Sequence, residues 1–139
     1  MSADPLSLSI SLTDTARPAG EVVLTNDGED AIRIWRTGND WGDGTLSFVV
    51  SRDDDASTVT PAPQDYTRNV PSSFEVPAHG SHRFAFDLRD GSWEPEAVLA
   101  GLPDGDARLT AVFEITPTPE STEHGVWTGQ VRSDPVALG

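Results

Sequence analysis

The sequence predicts an all-β protein: one antiparallel sandwich of seven to nine short strands, with one short helix near residues 92–100. Three observations carry that prediction. Apolar and polar residues alternate with period two in several segments, the arrangement that gives a strand one buried face. Gly, Pro, Asn and Asp cluster between those segments, where chain reversals need them. A helical period is suggested in one segment only, and strands with a single apolar face need a second sheet to cover it.

Residues 6–12 (Leu-Ser-Leu-Ser-Ile-Ser-Leu) alternate without a fault, so one face is apolar and the other lined with serine. Asp14, Pro18 and Gly20 turn the chain into a second strand over 21–25. Asn-Asp-Gly-Glu-Asp at 26–30 tolerates positive φ and predicts a hairpin, with 31–35 as the returning strand. A polar, glycine-rich loop over 37–45 follows, then a strand over 46–50. Residues 52–72 read as a long irregular connection, with Asp53, Asp54 and Asp55 in a row and prolines at 61, 63 and 71; short strands fit within it at 57–60 or 66–68. Phe74–Val76 is a short strand, and 82–88 aligns Phe84, Phe86 and Leu88 on one face. The predicted helix has Ser92 as its cap, acids in its first turn and Gly101 at its end. Residues 108–115 alternate again, a loop spans 116–125, and the last strands lie near 126–131 and 135–138.

The 139 residues suit one domain, 1–139, large enough to build a core without a staple. Nine basic residues, all Arg, stand against 23 acids, a formal net charge of −14. Such a surface repels phosphate backbones, so nucleic acid is not expected as a partner. With no Cys, disulfides, thiol catalysis and iron–sulfur clusters are excluded. No apolar run approaches the ~18 residues of a membrane span, and the start lacks a basic, then apolar, leader, so the expectation is a cytoplasmic protein away from membranes. No Gly-x-Ser-x-Gly elbow, phosphate loop or His-Glu-x-x-His is present, so an enzyme is not expected.

The strand order, with a short helix between the Phe84/Phe86 and Leu109/Phe113 strands, resembles an immunoglobulin-like sandwich. The Cys pair and tyrosine corner of antibody domains are missing. Within that group, Val22-Val-Leu-Thr-Asn26 followed by Ile32-Arg-Ile34 is similar to the second and third strands of the bacterial intracellular proteinase inhibitors. The resemblance implies an acidic, cysteine-free binding protein, and no reactive-site residue carries over from it.

Two loops hold the candidate binding residues. Trp41, between Asp40, Gly42 and Asp43, has little apolar company nearby; it either folds back as a lid or anchors a partner. Tyr66 and Arg68 stand in the connection 52–72, whose Thr-Val-Thr-Pro-Ala-Pro stretch at 58–63 favours an extended path suited to a protease cleft. The expected function is therefore non-enzymatic protein binding, with peptidase inhibition its most concrete form. The acidic field favours a partner with a basic surface. Alternatives are a calcium- or carbohydrate-binding sandwich using Trp41, and an accessory or immunity-type subunit pairing through an edge strand. An EF-hand is excluded, because Trp41 and Val50 occupy ligand positions when the loop is counted from Asn39. His79, His82 and His124 read as exposed turn residues, and no cofactor or metal is expected.

Overall fold

The structure, a computed structural model, describes residues 5–14, 18–36, 42, 44–52, 55–62, 70–99 and 107–137. They form an all-β chain. Its strands are β1 (Leu6–Asp14), β2 (Ala19–Asn26), β3 (Ile32–Trp35), β4 (Leu46–Arg52), β5 (Asp55–Pro61), β6 (Ser73–Val76), β7 (Ser81–Asp87), β8 (Trp93–Glu94), β9 (Arg108–Ile115), β10 (Gly129–Arg132) and β11 (Val136–Ala137). The helices α1 (Glu96–Leu99) and α2 (Pro119–His124) accompany them.

Among the described residues the strands make three antiparallel sheets. One has the order β1-β2-β7; the largest runs β10-β9-β4-β5-β8, with β11 also on β9; the smallest pairs β3 with β6. The first two face each other, as rings meeting across the interior show. Phe48 of β4 lies 4.7 Å from Phe86 of β7, and Phe84 lies 5.9 Å from Phe113 of β9. The alternation read from the sequence accounts for this layering. Leu109, Ala111, Phe113 and Ile115 are buried along one face of β9, and Val22 and Leu24 are fully buried on β2. Close approach of β1 to β2 requires Gly20, because a Cβ there would run into the carbonyl oxygen of Ser11.

Four expectations differ from the structure. β3 does not return along β2; it pairs with β6, Ile32 opposite Val76 and Trp35 opposite Ser73. The irregular connection predicted over 52–72 contains a full strand, β5, folded back on β4 with Arg52 opposite Asp55. The predicted helix shrinks to the single turn of α1, since Trp93 and Glu94 are drawn into pairing with Pro61 and Thr60 of β5. A second helix, α2, occupies part of the predicted loop 116–125. Thr118 caps it, accepting from the Ser121 amide while Ser121 Oγ accepts from the Thr118 amide, and Pro119 stands in its first turn.

Asn26 joins the sheets. It is fully buried, its Nδ2 donates to the carbonyls of Asp30 (2.8 Å), Val76 (3.1 Å) and Pro77 (3.3 Å), and its Oδ1 accepts from the Gly28 amide at 3.0 Å. Its own amide donates to Gly80 at 2.8 Å. The turn after β2 and the turn between β6 and β7 are thus tied through one side chain, which fixes the β3–β6 ribbon against the end of β7.

Candidate functional site

A cleft of about 820 Å³ opens beside β7. One wall is β7 itself, contributing His82, Arg83, Phe84 and Ala85. Leu46 of β4, Pro61 of β5, Ser92, Trp93 of β8, Trp35 of β3, the following Arg36 and Phe74 of β6 also line it.

Four consecutive strand residues in one wall define how the cleft runs. Neighbouring side chains on a strand point to opposite faces of the sheet. A cavity over one face meets every second residue; one that meets four in a row follows the edge of the strand. β7 is the outer strand of its sheet, paired through 81–87 with β2 and, among the described residues, with no strand on its other side. The groove therefore lies along a row of backbone donors and acceptors that a further strand would pair with.

The described lining of the groove is rich in aromatic rings and includes Arg36 and Arg83. His82 sits between Phe74, 4.8 Å between centroids, and Phe84, 4.7 Å and edge-on. Burial among these rings lowers the pKa of the imidazole below its ordinary value. The Arg36 guanidinium lies over the Phe74 ring at 5.2 Å. Arg83 reaches from β7 to Glu21 of β2 at 2.9 Å, so the guanidinium is held beside the groove. Trp93 packs edge-on against Phe48 at 5.1 Å, which ties the wall to the core.

The histidines differ from their predicted role as exposed turn residues. His79 alone fits it, an exposed residue with φ 62° that contacts Glu29 at 3.3 Å. His82 is half-buried in the groove. Continuing the period of Leu88, Phe86 and Phe84 back by two residues places it on their face, so the signal was present in the sequence. His124 is half-buried against the edge of Trp35 at 5.2 Å, with Nδ1 3.5 Å from Ser73 Oγ, which also accepts from Arg33 at 3.1 Å. That hydroxyl–imidazole distance exceeds the ~3.2 Å of a nucleophile–base hydrogen bond, and the arrangement fastens α2 to β3 and β6.

The loop residues singled out from sequence, Asp40, Trp41, Asp43, Tyr66 and Arg68, lie outside the described residues. Their described neighbours Arg36, Gly42 and Pro61 line the groove. Thr45 anchors the near end of the first loop: its hydroxyl donates to the Gly42 carbonyl at 2.7 Å, and its own carbonyl accepts from Glu114 of β9 at 2.8 Å. Among the described residues no cluster of three or more His, Asp or Glu is placed to hold a metal ion, and no helix is long and apolar enough to cross a membrane. Comparison with known protein families, curated proteins and solved structures returned no match to this chain.

Proposed function

We propose that the chain is a non-enzymatic protein-binding module that takes an extended segment of a partner along β7. The observation that carries this reading is the groove wall built from residues 82–85, a strand edge that no other described strand pairs with, set beside aromatic surface. Strand addition of this kind draws affinity from main-chain hydrogen bonds and specificity from pockets for alternate side chains. Trp35, Phe74, Phe84 and Trp93 supply such pockets.

The immunoglobulin-like reading belongs to the same proposal. It is supported by strand order: β1-β2-β7 corresponds to A-B-E, and β10-β9-β4-β5 to G-F-C-C′, with α1 between β7 and β9. In that scheme a strand D covers the outer edge of E. Here β6 occupies D's place in chain order but pairs with β3, so a partner segment would take the position beside β7.

Random-peptide display on the immobilised protein tests the reading. The expected result is enrichment of extended sequences whose binding weakens at least tenfold in an Ala85→Trp variant, which fills the groove from an exposed position. Binding unchanged by that substitution, or no enrichment, overturns it. Peptidase inhibition is the narrower form. Incubation with a panel of serine and metallo-peptidases would show slowed hydrolysis of peptide substrates, and unimpeded cleavage throughout dismisses it.

A further inference from the structure

We infer that Asp90 is a site of spontaneous backbone modification, where the folded protein turns aspartate into isoaspartate through a cyclic succinimide. The inference is independent of the strand-addition reading. Ring closure needs a carboxyl group followed by an unshielded amide nitrogen, and glycine, with no Cβ, shields that nitrogen least. The sequence has four Asp-Gly steps, at 27–28, 43–44, 90–91 and 104–105. Asp43 and Asp104 lie outside the described residues. The other two steps stand in opposite surroundings.

Asp90 and Gly91 are exposed in the turn between β7 and β8. Asp90 Oδ1 accepts from the Ser92 amide at 2.8 Å. The ring closed by that bond contains both Asp90 Cγ and the Gly91 nitrogen, so the electrophile is held beside its nucleophile. Gly91 has φ 88°, and nothing lies within 4 Å of the place a Cβ would take. Its amide has no hydrogen-bond acceptor among the described residues. Asp27 is fastened instead. Its amide donates to the Pro5 carbonyl at 2.8 Å, and its Oδ2 accepts from Ser7 Oγ at 3.1 Å. The nitrogen that would have to attack it, that of Gly28, donates to Asn26 Oδ1 at 3.0 Å. A Cβ on Gly28 would come within 2.9 Å of Pro5, so this turn is packed where the other is open.

The chemistry needs water and nothing else. The Gly91 nitrogen bonds to Asp90 Cγ and gives up its proton, and a carboxyl oxygen leaves as water, forming a cyclic imide with no change of oxidation state. Water then opens the ring. Attack at the Cγ carbonyl restores aspartate. Attack at the α-carbonyl leaves the chain running through Cβ and Cγ, with the α-carboxylate as the side group and the mass unchanged. The main chain thereby gains one carbon immediately before Ser92 and Trp93. Both residues line the groove; the Ser92 carbonyl accepts from Ala62 at 2.7 Å, and Trp93 pairs with Pro61 of β5.

Incubating the whole protein at neutral pH in water enriched in heavy oxygen tests the inference, because each passage through the imide installs one heavy oxygen in the residue. Peptides cut in ordinary water by a glutamate-specific protease are read by mass spectrometry, and isoaspartate is confirmed by methyl transfer from an isoaspartyl methyltransferase. In the folded protein Asp90 should label at least about fivefold faster than Asp27, a ratio that the Gly28 hydrogen bond alone accounts for. In guanidinium chloride sufficient to unfold the chain the two rates should draw together, which separates the contribution of the fold from that of the local sequence. Asp90→Ser, which keeps an acceptor for the Ser92 amide, should remove the label from its peptide. Equal labelling of Asp27 and Asp90 in the folded protein overturns the inference. So does label that persists in Asp90→Ser, or folding that slows labelling of Asp90 as much as it slows Asp27.

Discussion

Replacing Asn26 by Ala removes one side chain and unties two turns. The amide group makes two donated bonds' worth of contact, shared over the carbonyls of Asp30, Val76 and Pro77, and accepts one bond from Gly28. Three bonds at ~1 kcal/mol each come to about 3 kcal/mol, and leaving the buried Val76 carbonyl one partner short brings the loss to about 4 kcal/mol. A chain of 139 residues has an unfolding entropy near 0.29 kcal/mol/K at its midpoint, taking ~2.1 cal/mol/K per residue, so Tm should fall by about 14 °C. Urea unfolding followed by tryptophan fluorescence gives the free energy, and differential scanning calorimetry gives Tm. Asn26→Asp adds a sign test. A carboxylate facing three carbonyl oxygens has a raised native pKa, so that variant is best placed below the ordinary aspartate pKa of ~3.9 and loses stability relative to wild type as pH rises through its native value. A loss below ~1 kcal/mol in Asn26→Ala would refute the claim that this residue ties the sheets together.

Phe48→Ala empties the point where β4, β7 and β8 meet; its ring touches Phe86 and Trp93, and the expected loss is about 3–5 kcal/mol by denaturant unfolding. His82 gives a pH dependence. Its native pKa is lowered by burial, so the unfolded chain binds the proton more readily; its contribution is complete above the unfolded value of ~6.5 and is lost as pH falls from there through the native value. Calorimetry from about pH 7.5 to 5 should show a smaller loss of Tm in His82→Gln than in wild type, and parallel curves would contradict the assignment. Thr118→Ala removes the cap of α2 and should cost ~1 kcal/mol, with faster amide exchange confined to 119–125.

The parts of the fold legible in the sequence are those in which local pattern and tertiary burial coincide. β1 and β9 were readable residue by residue, because every second side chain enters the core. β5 was obscured by its composition: Val59 is its one buried residue, and polar side chains elsewhere leave no period to read. The partner of β3 was hidden for a different reason. Residues 26–30 carry hairpin chemistry, but pairing Ile32 with Val76 depends on the Asn26 side chain meeting carbonyls about fifty positions away. α2 is polar nearly throughout, so an apolar stripe could not mark it, although Thr118-Pro119 and Gly125 have the chemistry of helix ends. The groove was invisible for the same reason as β3: it forms where β7, the β3–β6 ribbon and β8 converge, and only the phase of His82 with Phe84 and Phe86 hinted at it.

Residue-resolved amide exchange on the free protein tests the central claim, an open edge on β7, most directly. The expected result is alternation along 81–87: amides directed to β2 protected, and their neighbours exchanging quickly, while the central strands β2 and β9 are protected throughout. Uniform protection across 81–87 would mean that the edge is already covered, and the binding function proposed for it would be contradicted.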